Sequence, residues 1–141
     1  MHKVNFYCLD RKPALKNRTR LKDFIEQVFV IEKKKLDNLS YIFCSDNHLL
    51  NVNKDFLKHD FFTDVITFDL SSGKDKIEGE VYISIDRIKE NAKELGTSFK
   101  EELHRVMFHG ALHLCGYKDK KPSDIKTMRA KENKYLESYF S

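Results

Sequence analysis

The chain has 141 residues, 40% hydrophobic and 34% charged, with a formal charge of +4. That length supports one domain with its own core and is too short for two, and the composition excludes disordered, collagenous and low-complexity chains. No apolar run approaches the roughly 20 residues a membrane span requires, the first residues lack the apolar stretch of a secretion signal, and three cysteines without CxxC spacing argue against a disulfide framework. A reduced, cytoplasmic protein is the expectation.

Lys3 to Leu9 reads as a short strand, closed by a turn over Asp10–Pro13. Pro13 suits the first turn of a helix running to about Val30, with Leu21, Phe24, Ile25 and Val28 on one stripe. Lys33–Lys35 is a polar turn, Tyr41 to Ser45 a second strand, and the segment holding Leu49, Leu50, Val52, Phe56 and Leu57 a short helix. Val65–Leu70 and Glu80–Ile85 read as the third and fourth strands, joined by a hairpin-like connection over Ser71–Lys76 that contains Gly73. Asp86 is placed to cap a helix through Leu95, closed by Gly96. Ser98 caps the next, with Glu101 completing a capping box, and that helix extends to Gly116. A last amphipathic helix fills Ser123 to about Tyr139. The pattern predicts a small mixed sheet covered by helices, an α+β or α/β single domain.

Charge is unevenly placed. Residues 1–35 hold ten Lys/Arg against four Asp/Glu, densest over Arg11, Lys12, Lys16, Arg18, Arg20 and Lys22. A solvated helix face accounts for such a run; clustered base is also the electrostatic footprint of nucleic-acid binding, which makes it a candidate phosphate strip.

The chemistry concentrates in the helix ending Phe108-His109-Gly110-Ala111-Leu112-His113-Leu114-Cys115-Gly116. Leu103, Val106, Met107, Gly110 and Leu114 share one face and Phe108 and Leu112 lie nearly opposite, so the helix is apolar on two sides and buried. His109 and His113 stack on a third side, four residues apart, with Glu102 two turns earlier. Two hydrogen-bonded core histidines would satisfy that pattern, and so would two ligands of a metal ion. Gly116 lets the helix stop, and the next three residues can bring Asp119 back toward the imidazoles. His109, His113 and Asp119 would then supply three ligands and leave a fourth position for water, as a hydrolytic site requires.

These residues resemble a known family. His109-Gly-Ala-Leu-His113-Leu-Cys-Gly-Tyr-Lys-Asp119 is similar to the H-G-x-L-H-L-x-G-Y-x-H signature of the YbeY family, rRNA maturation factors and single-strand-specific endoribonucleases. Leu50-Asn51, Phe56, the Thr63–Phe68 segment and the Gly79–Ser84 strand resemble the family's upstream motifs in order and spacing. The resemblance implies one α+β domain over residues 1–141, with a four-stranded sheet and a buried metal-bearing central helix. It also implies one Zn2+ per chain, action in the cytoplasm on rRNA (16S 3′-end maturation) and in ribosome quality control, and the small ribosomal subunit and single-stranded RNA as partners, with no membrane. Two positions depart from the pattern. Asp119 stands where the family has histidine; a carboxylate suits harder metals better, which admits another divalent ion, and Asp124 is a nearby substitute ligand. Leu57 stands where the family has an arginine thought to serve RNA or transition-state charge, leaving Lys58 and His59 as candidate replacements.

Asp64 and Glu80, at strand ends, are candidate proton-transfer groups or second-layer acceptors, against the plainer role of turn carboxylates. Cys115 reads as a packed thiol, His104 as structural or surface, and Phe61, Phe62, Phe68 and Tyr82 as core before a base-stacking platform, although exposed members could stack on unpaired bases. Three functions compete: a metal-dependent endoribonuclease, a non-enzymatic ribosome-assembly factor whose metal is structural, and a zinc peptidase. The last ranks lowest, because Gly110 occupies the position where HExxH places its glutamate.

Overall fold

A computed structural model describes five helices and four strands in residues 2–73 and 75–141. They run β1 (Val4–Cys8), α1 (Arg18–Ile31), β2 (Leu36–Cys44), α2 (Asp46–Leu57), β3 (Val65–Asp69), β4 (Ile77–Ser84), α3 (Ile85–Leu95), α4 (Phe99–Leu114) and α5 (Pro122–Phe140). The sheet order is β1-β2-β4-β3, with β1, β2 and β4 parallel and β3 antiparallel to β4 at one edge. This is the expected α+β fold, a small mixed four-stranded sheet with helices packed on it. No helix among the described residues is long and apolar enough to cross a membrane.

Strand alternation sorts side chains onto two faces. Val4, Leu39, Tyr41, Phe43, Val81 and Ile83 face the main core, which α1, α4 and α5 cover. Leu49, Val52 and Ile66, with half-buried Phe68 and Tyr82, form a smaller core under α2 on the opposite face. Helix α4 lies close against the sheet. A Cβ on Gly110 would sit 2.7 Å from Val81 Cγ1, and one on Gly79 would sit 2.7 Å from Leu114 Cδ1. The buried Tyr41 hydroxyl donates to the Met107 carbonyl at 2.6 Å, stitching sheet to helix.

Several boundaries differ from the sequence reading, each for a local reason. Helix α1 starts at Arg18 because Asn17 adopts a left-handed conformation (φ 52°) that severs it from Pro13. Strand β2 starts at Leu36 and β4 at Ile77; these residues pair with each other, so partnership extends strands through the polar Asp37 and Glu78. Ser84, not Asp86, caps α3, its hydroxyl accepting from the Arg87 N–H, while Asp86 sits in the first turn. Ser98 caps α4 as expected, accepting from the Glu101 N–H at 3.0 Å. Lys74, within the expected hairpin connection, lies outside the described residues. Phe61 and Phe62 are not core: they are 56% and 48% exposed, because they lie in the loop between α2 and β3 rather than on either element.

Candidate metal centre and its cleft

The close approach of α4 to β4 presses the Gly110 face of the helix onto the sheet and leaves the adjoining histidine face along a cleft of about 790 Å³. Its other wall is the β3 edge, where Val65, Thr67 and Asp69 share the face that meets α4, together with the loop leading into β3. The volume falls within the range of small-ligand clefts, about 300–1,000 Å³.

The His109 and His113 rings meet edge to face with centroids 4.6 Å apart. Gly116, at φ 107°, turns the chain at the end of α4, and Asp119 returns to both imidazoles. Its Oδ2 lies 3.3 Å from His109 Nε2 and 3.2 Å from His113 Nε2. The three donor atoms sit within 4.8 Å of one another and could hold a cation. Charge-assisted N–H···O bonds close to about 2.7–2.9 Å. The longer spacing here fits the donor-to-donor edge of a tetrahedron with bonds of about 2.0–2.1 Å, which is about 3.3 Å. Two imidazoles and a carboxylate also match the ligand chemistry of zinc.

Behind the triad stands Glu132 of α5, a residue the sequence reading missed. It is 5% exposed, and its Oε2 accepts from His109 Nδ1–H at 2.7 Å. Its Oε1 accepts from Arg105 at 3.1 Å and lies 3.5 Å from an Arg129 nitrogen. Burial works against ionisation of Glu132, but the bond from His109 and the arginine charges overcome it and hold its pKa below the ordinary value. An ionised Glu132 requires the proton on His109 Nδ1, so Nε2 is the atom presented to Asp119. Burial likewise opposes a charge on His109, yet Glu132, Asp119 and Asp64 together raise its pKa. Glu132 carried a readable signal: it interrupts the otherwise apolar stripe of Met128, Tyr135, Leu136 and Tyr139 on α5.

The Asp119 segment is pinned from the rear. Tyr117, two residues before Asp119, donates its hydroxyl to Glu32 Oε1 at 2.6 Å, and Tyr135 and Lys131 of α5 also donate to Glu32. The end of α1, the turn after α4 and the middle of α5 thus meet at one carboxylate.

Of the other sequence candidates, Asp64 and His59 line the cleft with Leu57, whereas Lys58 does not. Burial raises the Asp64 pKa, and Asn91 donates to its carboxylate at 3.3 Å. Glu102 also lines the cleft, its pKa raised by burial and then by the Asp64 charge. Glu80 is separated from this set: it pairs with Phe68 on the α2 face of the sheet, and its carboxylate accepts from Tyr82 at 3.4 Å. Lys16, Arg18 and Arg20 lie outside the cleft. Arg20 is committed to α5, donating to the Tyr139 carbonyl at 2.6 Å with its guanidinium 4.2 Å from the Tyr139 ring centre. Asp124 falls in the first turn of α5 and is not among the three converging donors. His104 is buried and stacked on Tyr139, with Nδ1 bonded to the Lys100 carbonyl. Cys115 is buried, and desolvation pushes its thiol up to about 12.

Comparison with known proteins identifies the family. The family described as Endoribonuclease YbeY matches residues 8–140. Curated relatives carrying that name include one from Cytophaga hutchinsonii, 48% identical over 94% of this chain and 93% of its own. Another, from Flavobacterium psychrophilum, is 46% identical over 89% of each chain. The solution structure of a Thermotoga maritima protein matches with a TM-score of 0.69 and 28% identity, covering 97% of this chain and 89% of that one. With a family match across nearly the whole chain and relatives this similar, the chain belongs to the YbeY endoribonuclease family, whose members are RNA-cleaving hydrolases.

Proposed function

We propose that this chain hydrolyses phosphodiester bonds of single-stranded RNA, with a divalent cation, zinc by preference, held by His109, His113 and Asp119. The observation that carries this reading is the convergence of two Nε2 atoms and one carboxylate oxygen at 3.2–3.3 Å in the wall of a cleft. A cation bound there would polarise a phosphoryl oxygen and lower the pKa of a water. The protein's own groups do the rest. Glu132 fixes the His109 tautomer and ring plane through the Nδ1 proton. Arg129 and Lys120 place positive charge along the same cleft, where a phosphate backbone enters. Asp64, half-buried in the same cleft with its pKa raised by desolvation, is suited to take a proton from the attacking oxygen and return it to the leaving one.

The finer assignment follows the family resemblance: rRNA as substrate, at the 16S 3′ end, with roles in ribosome biogenesis and quality control at the small subunit in the cytoplasm. One observation favours the second reading, a non-enzymatic assembly factor with a structural metal: Leu57 gives the cleft an apolar side chain where the family has arginine. The zinc-peptidase reading has no support from the helix, since the position after the first histidine is Gly110, packed against Val81 with no room for a side chain.

The deciding experiment measures cleavage of a single-stranded RNA by purified protein and by His109→Ala. Loss of cleavage in the variant, with secondary structure retained, supports hydrolysis. Equal cleavage by both proteins refutes it. If neither cuts and His113→Ala lowers thermal stability only when metal is present, the structural-metal reading stands instead.

A further inference from the structure

The loop between α2 and β3 exposes aromatic side chains beside the cleft. His59 and Phe61 both line it, their rings stacked with centroids 5.1 Å apart and planes 20° from parallel. More than half of the Phe61 surface is open to solvent. An exposed phenylalanine on a loose loop would mean little, but this loop is held. Asn53, 1% exposed, donates from Nδ2 to the Phe61 carbonyl at 2.9 Å, and its own carbonyl accepts from the His59 N–H at 3.1 Å. Lys58, just before them, takes the left-handed conformation that folds the chain back. A buried asparagine therefore fixes both ends of a three-residue arch whose aromatic rings face outward into the cleft. Burying Phe61 would stabilise the fold more than exposing it, so the arrangement answers to something other than stability.

We propose that the His59–Phe61 pair is a stacking platform for an unpaired nucleobase of the RNA strand whose backbone passes His109, His113 and Asp119. The proposal rests on the reading of the cleft as an RNA-cutting site. Every base offers a flat π-face, so an aromatic platform holds single strands without reading sequence, and a paired base cannot reach it. Lys120, which also lines the cleft, supplies charge for the backbone while the platform takes the base. The platform thereby gives the site a preference for single strands independent of the cation.

The chain has no tryptophan, so Phe61→Trp installs a single reporter. A short single-stranded oligonucleotide with 2′-O-methyl sugars should quench its emission on binding, and an abasic strand of equal length, with the same phosphates and no bases, should not. Phe61→Ala should weaken binding of the base-bearing strand roughly 5- to 150-fold and leave the abasic strand unaffected, while Phe61→Tyr should bind as the parent does. Equal emission changes with both strands, no binding of either, or unchanged affinity in Phe61→Ala overturns the platform. The two readings fail separately. A strand that binds and quenches but whose ribose counterpart is never cut removes hydrolysis and keeps the platform; cutting at parental KM by Phe61→Ala does the reverse.

Discussion

Replacing Glu132 with glutamine removes one charge and almost no volume, so its effects trace to hydrogen bonding rather than packing. The two carboxylate oxygens serve two donors, His109 Nδ1–H at 2.7 Å and Arg105 at 3.1 Å. A glutamine amide offers one accepting oxygen and one NH2 group, so either one donor faces another or the His109 proton moves to Nε2, the atom that would hold the cation. One charge-assisted bond is lost outright in a position almost closed to water, which costs about 1.5–3 kcal/mol of unfolding free energy. If the amide keeps Arg105, His109 loses the partner that fixes its tautomer, and affinity for the proposed cation falls about 10- to 100-fold. If it keeps His109, Arg105 loses its buried counter-charge. Chelator-competition titration with zinc, alongside chemical denaturation of the cation-free protein, reads both effects. Unchanged zinc affinity together with unchanged stability would refute the reasoning, because it would mean that neither bond depends on the charge.

Gly110→Ala should destabilise by about 1–3 kcal/mol despite alanine's better helix propensity, since its Cβ would collide with both methyls of a rigid valine; Val81→Ala in the same chain should recover most of the loss in denaturation experiments. Glu32 and Glu102 should show opposite pH signatures. Burial opposes the Glu32 charge, but bonds from Tyr117, Tyr135 and Lys131 hold its pKa below the ordinary 4.5, so its contribution is present above that value and is lost as pH falls through the lowered one. Glu32→Gln should therefore lower the denaturation midpoint at neutral pH, with the difference closing in acid. Burial raises the Glu102 pKa, so ionising it penalises the native state as pH climbs from the ordinary value through the raised one; Glu102→Gln should raise the neutral-pH midpoint, and that gain should vanish in acid. Alkylation of the native protein should label exposed Cys8 and spare Cys44 and Cys115, both buried with thiols pushed up to about 12; intact mass showing modification of either buried thiol contradicts that placement.

Local spacing was the part of the molecule readable from sequence. His109 and His113 share a helix face by arithmetic, Gly116 announces the helix end, and Ser98 with Glu101 announces a start; the structure has all three. Asp119 was reachable because only a short tether separates it from His113. Tertiary partnership was not readable. Strands β2 and β4 extend through polar residues because each supplies the other's hydrogen bonds. Glu80 leaves the cleft because strand register, invisible in one segment alone, turns it to the other face. Phe61 has core composition and a surface position, since the arch that displays it depends on Asn53, a residue whose importance lies in a contact eight positions away. Glu132 joins His109 from a different helix.

That last dependence bears on when the protein becomes competent. The histidine helix is complete at Leu114, but the carboxylate that orients His109 and two of the three side chains that secure Glu32 all belong to the final helix. A nascent chain emerging from its N-terminus, or one cut short before Pro122, displays both imidazoles without the parts that aim them. Under the hydrolytic reading of the site, a copy that lacks the last helix would hold both imidazoles with His109 unoriented and Glu32 bonded by Tyr117 alone.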